Sequence, residues 1–413
     1  LYDELSKTKR RFVWVRRKVD DYTAEAVRKA GLPGIGLSKE YDRVYPFKHL
    51  AGQLLGFVGV DDKGLEGLER SLDDRLAGTP TRTVVQRDAM GRRFYLHEEG
   101  KDELRGEDLM LTLDVQLQFI AEEAVARAAR DFDARWSGAL VVDVPSGDIL
   151  AWAQYPFFNP NTYRQSSPMI YRNRLASDAL EPGSTFKVIT SFAPAIDTCG
   201  ATLGSVYYDG PYTMDTKTFR NWYSSKGYMG YSTIRDGIVY SMNIVAVRCM
   251  IETVTPQLGV EYARNLGITS LTDSDYNAST ALGGITKGVS NLELTDAFAA
   301  IANGGIYTKP VFFTQILDHN GKVLLENEPE TKRVLKDSTA FLLTDAMAQS
   351  MESSRMFASS GVSLNSTSAV ANIPGMSNAG KSGTTTSNND IWFVGFTPYY
   401  TAGIWSGCDD NQK

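Results

Sequence analysis

The chain has 413 residues, 42% hydrophobic and 22% charged, with a formal net charge of −6. That length predicts two or three domains of about 100–200 residues each, and the negative balance argues against nucleic acid as the main partner. No apolar run approaches the roughly 18 residues of a membrane span. The cysteines Cys199, Cys249 and Cys408 form no CxxC or Cys/His cluster, so neither a metal site nor a disulfide framework is expected.

The chain opens at LYDELSKTKRRFVWVRRKVD, which reads as the middle of a longer protein, with no signal-peptide pattern. Residues 24–34, AEAVRKAGLPG, predict a helix stopped by Gly31 and Pro33. Residues 64–78 place Leu65, Leu68, Leu72 and Leu76 at helical spacing, with Gly78 as the stop. RTVVQRDAMGRRFYL, residues 82–96, predicts two strands about an Asp-Ala-Met-Gly turn. Residues 1–106 therefore read as a small α+β module without chemistry of its own.

From residue 107 the pattern changes. Residues 111–132 predict an amphipathic helix with Leu117, Ile120, Ala121, Ala124, Val125 and Ala128 on its buried stripe. Residues 138–154 predict a hairpin about Pro-Ser-Gly-Asp, and residues 390–407 a second, turning at Thr397-Pro398. Between them, residues 290–305 predict a helix with a Ser290/Glu293 capping box, ended by Asn303-Gly304-Gly305. HNGK, residues 319–322, turns a further hairpin, and residues 362–380 read as a polar loop. Strands at both ends with helices between predict one α/β domain over 107–413, its terminal strands sharing an antiparallel sheet.

Three short motifs carry the chemistry. In EPGSTFKVIT, residues 181–190, Pro182-Gly183 opens an apolar helix, and Ser184 and Lys187 share a face at i, i+3. A lysine buried among Phe186, Val188, Ile189 and Phe192 loses solvation, which lowers its pKa and fits it to be a base. The helix N-terminus disfavours the ammonium and favours an oxyanion. Serine can then be a nucleophile without histidine; the plain alternative is a snorkelling lysine beside a capping serine. His49, His97 and His319 all lie in polar or loop-like surroundings. Ser-x-x-Lys also occurs at Ser6–Lys9, in a charged stretch where it carries no chemistry. The second motif, Ser241-Met242-Asn243, precedes another apolar helix; Ser-x-Asn recurs at Ser363–Asn365 and Ser387–Asn389, and N-capping is its ordinary meaning. The third, AGKSGTTT at 379–386, offers a cation in Lys381, hydroxyls in Ser382 and Thr384, and close backbone approach at Gly383.

In this order, Ser-x-x-Lys, Ser-x-Asn and Lys-Ser-Gly resemble the penicillin-interacting serine transpeptidases. EPGSTFK, AGKSGTT followed by NNDIWFVGFTPYY, and LGGITKGVSNLELTDAFAAIANGG resemble the penicillin-binding domain over roughly residues 107–413. LLGFVGVDDKGLEGLERSLDDRLAG resembles the pedestal, or dimerisation, module of class B monofunctional proteins, although the surroundings of the second and third motifs read more like class A. The resemblance implies a penicillin-binding transpeptidase or serine β-lactamase-like α+β fold: an antiparallel sheet flanked by helices, an all-helical part, and a partial pedestal at 1–106.

It also implies a peptidoglycan D,D-transpeptidase without cofactor. Ser184 would attack the penultimate D-alanine of a stem peptide, with Lys187 taking the serine proton. Ser241 would relay a proton to the leaving D-alanine, Asn243 would hold the acyl peptide's amide, and Lys381 would bias Ser241. Ser382, Gly383, Thr384 and Thr385 would bind the substrate, and the N–H groups of Ser184 and Thr384 would form the oxyanion hole. An amine of a second stem peptide would complete the cross-link, and β-lactams would acylate the same serine. Implied partners are a glycosyltransferase and divisome or elongasome proteins. The implied location is the extracytoplasmic face of the bacterial membrane, with an N-terminal anchor outside this chain. Two features depart from the family: no Arg-Gly-x-Ile-like segment precedes the pedestal, and the chain stops at GIWSGCDDNQK, short of a further strand and long helix. Rival readings are a D,D-carboxypeptidase, a serine β-lactamase, for which no Glu-x-x-Leu-Asn stretch is found, and a non-catalytic β-lactam sensor or divisome scaffold.

Overall fold

The structure, a computed structural model, describes residues 6, 13–38, 40–78, 105–214, 216–359, 361–385 and 390–408, together with the backbone of the strands Val85–Arg87 and Arg93–Tyr95. Residues up to Asp108, with Phe158–Tyr171, make one unit; Leu109–Phe157 and the chain from Arg172 onward make another.

In the first unit, helix α1 (Asp21–Ala30) begins where the Asp20 side chain accepts the Thr23 N–H and ends at Gly31, φ 55. The cap starts the helix earlier than the apolar pattern implied, and Gly31 stops it before Pro33. The single helix expected over 64–78 does not form. Strand β1 (Phe57–Val58) pairs antiparallel with β2 (Gly64–Glu66), and two short helices, Gly67–Ser71 and Asp73–Leu76, follow. Gly67 is the reason: its φ is 62, and a Cβ there would lie 2.5 Å from Gly56 N and Leu54 O, so the chain turns sharply where the leucine spacing alone continues a helix. The strands expected within 82–96 are β3 (Val85–Arg87) and β4 (Arg93–Tyr95), paired antiparallel; their turn lies outside the described residues. Tyr45, Phe57 and Phe158 form the core of this unit, with Tyr163, Ile170 and Tyr171 against it. Four of those six residues come from the excursion Phe158–Tyr171, which no sequence pattern announced.

In the second unit, helix α2 (Val115–Asp131) is capped by Asp114. Its buried positions are Gln118, Ala121, Glu122, Val125, Ala126 and Ala129. The expected stripe is thus rotated: Ile120 is 60% exposed and Gln118 is 1% exposed. Gln118 is buried because its amide completes a strand edge, accepting from the Trp152 N–H at 2.6 Å and donating to the Trp152 carbonyl at 2.8 Å. The two predicted hairpins are β5 (Trp136–Asp143) with β6 (Ile149–Tyr155), and a later pair described below. Then come helices α3 (Asn243–Cys249), α4 (Asn291–Ala302) and α5 (Asp337–Met351). The Ser290/Glu293 capping box of α4 is present as expected. The HNGK turn joins strands Phe313–Leu317 and Val323–Glu326. The stretch read as a loop at 362–380 holds a strand, Ser363–Asn365, paired with Arg355–Phe357, and a helical turn, Ala369–Ala371.

Strands β7 (Ala379–Thr384), β8 (Asp390–Phe396) and β9 (Tyr400–Gly407) complete one five-stranded antiparallel sheet in the order β7-β8-β9-β5-β6. Terminal segments of the domain thus share one sheet. Ala121 and Val125 of α2 pack on Ala139, Ala151 and Ala153 of one face. On the other face Asn291 of α4 donates to the Gly403 carbonyl, and Ser350 of α5 to the Gly380 carbonyl. Among the described residues strand β7 has no strand partner on its outer side.

Candidate active site

Pro182-Gly183 does not open a regular α-helix. Gly183–Thr185 form a 3₁₀ turn, Val188–Phe192 a π turn, and Ala193–Asp197 an α turn in succession. Single π turns recur at functional sites. Phe186, Val188, Ile189, Phe192 and Ala193 are all buried, so this helix is enclosed on every side. Its start is fixed by close backbone contact. A Cβ on Gly183 (φ 55) would lie 2.8 Å from the Thr384 oxygen and 3.2 Å from the Thr384 nitrogen, and one on Gly283 (φ 80) would lie 2.5 Å from the Gly183 oxygen. Three chain segments therefore meet at Gly183. Trp392 Nε1 clamps the same turn by donating to the Glu181 carbonyl at 3.0 Å.

Lys187 and Lys381 are both 0% exposed, and Ser241, 5% exposed, stands between them. Lys187 Nζ is 3.1 Å from Ser241 Oγ and donates to the Ser241 carbonyl at 2.7 Å and Asn243 Oδ1 at 2.6 Å. Lys381 Nζ donates to Ser241 Oγ and to the Ser382 carbonyl, each at 2.9 Å. Neither lysine has a carboxylate partner among the described residues. Burial pushes the Lys381 amine down to about 7. Burial, and then the charge of Lys381, push Lys187 well below the ordinary lysine range. The expected contact of Lys187 with the Ser184 hydroxyl is not made in this state: that hydroxyl has no hydrogen bond among the described residues.

Ser241 and Asn243 are freed from capping, which was their plain reading. The N-cap of α3 is Met242, which has no capping side chain. Asn221 Oδ1 takes its place, accepting the N–H groups of Asn243 at 2.8 Å and Ile244 at 3.1 Å. Asn221 Nδ2 donates to Asp209 Oδ1 at 2.6 Å, and Asn243 Nδ2 to the Arg220 carbonyl at 2.8 Å. Ser241 itself sits at φ 52, in the left-handed region, which re-aims its side chain between the lysines. Neither Asn221 nor Asp209 stands among the site residues expected from the sequence. They lie in the stretch YDGPYTMDTKTFRN, which matches no motif; a polar residue at a strand end reads there as a turn.

On β7, side chains alternate, so Lys381, Gly383 and Thr385 face one way and Ser382 and Thr384 the other. Ser382 is half-buried and Thr384 exposed. The Thr385 N–H donates across to the Asp390 carbonyl at 3.1 Å. By the alternation of an antiparallel ladder, the Thr384 N–H points off the outer edge, toward the Gly183–Ser184 turn packed against it. Thr385 is buried, and its hydroxyl accepts the Asp390 N–H at 3.0 Å, so it closes the strand end. The structure thus joins Lys187, Ser241, Asn243 and Lys381 by hydrogen bonds and brings Gly183 against Thr384. Thr385 it places on the covered side.

The penicillin binding protein transpeptidase domain matches residues 137–405, and the penicillin-binding protein dimerisation domain matches residues 1–111. The chain belongs to the penicillin-binding protein transpeptidase family. It is 28% identical over 371 residues to the probable peptidoglycan D,D-transpeptidase PenA of Neisseria meningitidis, covering 82% of this chain and 59% of that protein. It is 29% identical over 330 residues to the peptidoglycan D,D-transpeptidase FtsI of Escherichia coli K12, covering 75% and 54%. The chain thus spans a little over half the length of these relatives. A crystal structure of penicillin-binding protein 3 from Mycobacterium tuberculosis superposes with a TM-score of 0.73 at 25% identity, over 88% of this chain and 84% of that one. A structure of the same protein in complex with ampicillin has a TM-score of 0.72. The antiparallel sheet flanked by helices is the fold of this family. Among the described residues no helix is long and apolar enough to cross a membrane.

Proposed function

We propose that the chain is a serine D,D-transpeptidase that cross-links peptidoglycan stem peptides and is acylated by β-lactams. The observation that carries this reading is the Ser241 hydroxyl held between two fully buried lysines that have no carboxylate partner among the described residues. Up to about pH 7, where Lys381 is an ammonium, and with Lys187 as neutral amine, every contact has a donor and an acceptor: Lys381 donates to Ser241 Oγ, and the Ser241 hydroxyl donates to the Lys187 lone pair.

Ser184 Oγ then attacks the carbonyl carbon of the penultimate D-alanine. Its proton passes to Lys187, and the oxyanion is met by the N–H groups of Ser184 and Thr384. The C–N bond breaks, and the proton moves from Lys187 through Ser241 to the departing D-alanine amine. Asn243 supports the acyl peptide, and Ser382 and Thr384 hold the terminal carboxylate on the accessible side of β7. An acceptor amine attacks the ester, losing a proton along the same path, and Ser184 regains its own. A β-lactam enters by the same attack on its ring amide. The reading places the chain outside the cytoplasmic membrane, where peptidoglycan is built.

Intact-mass measurement with benzylpenicillin tests it. The expected result is a long-lived adduct of one equivalent on the native chain and none on Ser184→Ala. An adduct that clears within seconds with penicilloate accumulating would make the protein a β-lactamase. No adduct on folded protein would leave a non-catalytic scaffold.

A further inference from the structure

The hydrogen bonds of Lys187 end on Asn243, and those of Asn243 do not end there. Asn243 is gripped at its backbone N–H by Asn221 Oδ1 and at its side chain by the Arg220 carbonyl. Asn221 is 5% exposed and is set by Asp209, which is 0% exposed. Asp209 Oδ1 accepts Asn221 Nδ2, while Asp209 Oδ2 accepts the Tyr223 hydroxyl at 2.9 Å and the Met229 N–H at 2.8 Å. With both carboxylate oxygens occupied by donors, the Asn221 amide can point only one way. Its nitrogen faces Asp209 and its oxygen faces the start of α3.

We propose that Asp209 and Asn221 are positioning residues that fix Asn243, and through it the Nζ of Lys187, for proton transfer at Ser184. Neither touches the reacting atoms. Their effect runs through one polar chain: Asp209, Asn221, the first two N–H groups of α3, and Asn243 Oδ1 to Lys187 Nζ at 2.6 Å. Met242 offers no cap of its own, and among the described residues Asn221 Oδ1 is the acceptor of those two N–H groups, while the Arg220 carbonyl holds the far side of the Asn243 amide. The proposal rests on the acyl-transfer reading of this site.

The donor pattern prescribes its own test. In Asp209→Asn, the Asn carbonyl can keep Tyr223 and Met229, but its NH₂ then faces the NH₂ of Asn221. In Asn221→Asp, two carboxylates face each other. In the double variant Asp209→Asn/Asn221→Asp each donor again meets an acceptor: the new Asn donates to the new Asp, whose other oxygen accepts the Asn243 and Ile244 N–H groups. The assay is the acylation rate with a fluorescent penicillin across pH, run well below the melting temperature of each variant. Each single variant is expected to acylate about 100-fold more slowly, the scale of an ångström-sized misplacement. The double variant is expected to return to within about threefold of the native rate, as a coupled pair requires.

Single variants that melt earlier yet acylate at the native rate would overturn the proposal. So would a double variant that is folded and remains slow. If one single variant does not fold, the other and the double still decide it. If the native chain is not acylated at all, the transpeptidase reading falls on that result alone. The positioning claim is then decided by ¹³C titration of the Lys187 Cε, assigned through Lys187→Arg. A midpoint displaced in the single variants and restored in the double supports it, and one unmoved throughout overturns it.

Discussion

Lys381→Met isolates the cost of burying one of the two cations. Methionine keeps the length and apolar stem of lysine and removes its charge. In the folded chain burial lowers Lys381 from 10.5 to about 7. Between pH 7 and 10.5 the unfolded chain therefore holds one more proton at this residue than the folded chain. Stability must rise with pH across that window, by about 1.4 kcal/mol per pH unit. Below pH 7 both states are protonated, and the contribution stays at its minimum. Lys187 is depressed in the same direction, chiefly by burial, in both proteins, so most of its contribution cancels in the comparison. Unfolding free energies from urea titrations should then show the native chain gaining about 2.7 kcal/mol on Lys381→Met between about pH 7.5 and 9.5. A difference that stays level over those two units would refute the reasoning, because it would mean that Lys381 remains an ammonium in the folded protein.

Two further substitutions probe the packing around the site. Gly183→Ala forces a Cβ to 2.8 Å from the Thr384 oxygen at φ 55. Left-handed strain of about 1–2 kcal/mol and overpacking of about 1–3 kcal/mol predict a loss of about 2–5 kcal/mol, with slower acylation as Thr384 is pushed away. Gly200→Ala is the control, since φ is 75 but nothing lies within 4 Å; it should lose only the strain and acylate normally, in the same melting and penicillin assays. Asp296 on α4 is pushed up to about 8 by burial, so between pH 3.8 and 8 the folded state holds the extra proton and stability falls as pH rises. Asp296→Asn removes that slope, and from about pH 5 to 7 the variant should gain about 2.7 kcal/mol on the native chain in urea titrations.

The three motifs were legible because each is local. Ser184 and Lys187 lie one turn apart, and Ser241 and Asn243 flank one helix start, so each pair is visible within one short segment. What supports the second pair is not local. Asn221 reaches the start of α3 from 22 residues upstream, and Asp209 reaches Asn221 across 12 residues more. Neither position has a periodicity or neighbour to mark it, since a buried hydrogen-bond partner is defined by the fold and not by its own segment. The same limit explains α2. Counting apolar residues gave the stripe through Ile120, whereas the helix is turned so that Gln118 can satisfy the backbone at the β6 edge. It also explains 64–78, where leucines at helical spacing lost to the close approach of Gly67 to residues 54–56.

Neutral partners for the buried lysines are what the proposed role of Lys187 as base requires. A carboxylate beside Lys187 would repay the ammonium for its lost hydration and hold it protonated, leaving no lone pair to receive the serine proton. Serine, asparagine and backbone carbonyl oxygens satisfy hydrogen bonds without supplying a full negative charge. The second lysine works in the same sense, because a positive charge two hydrogen bonds away penalises a second one. The nearest fully buried carboxylate in this polar chain, Asp209, is kept two side chains back from Lys187, behind Asn221 and Asn243. At that remove it can orient the amides that hold the amine without pairing with the amine. A site read as a nucleophile and its base thus requires its supporting carboxylate to act through neutral amides, and that is the arrangement these residues adopt.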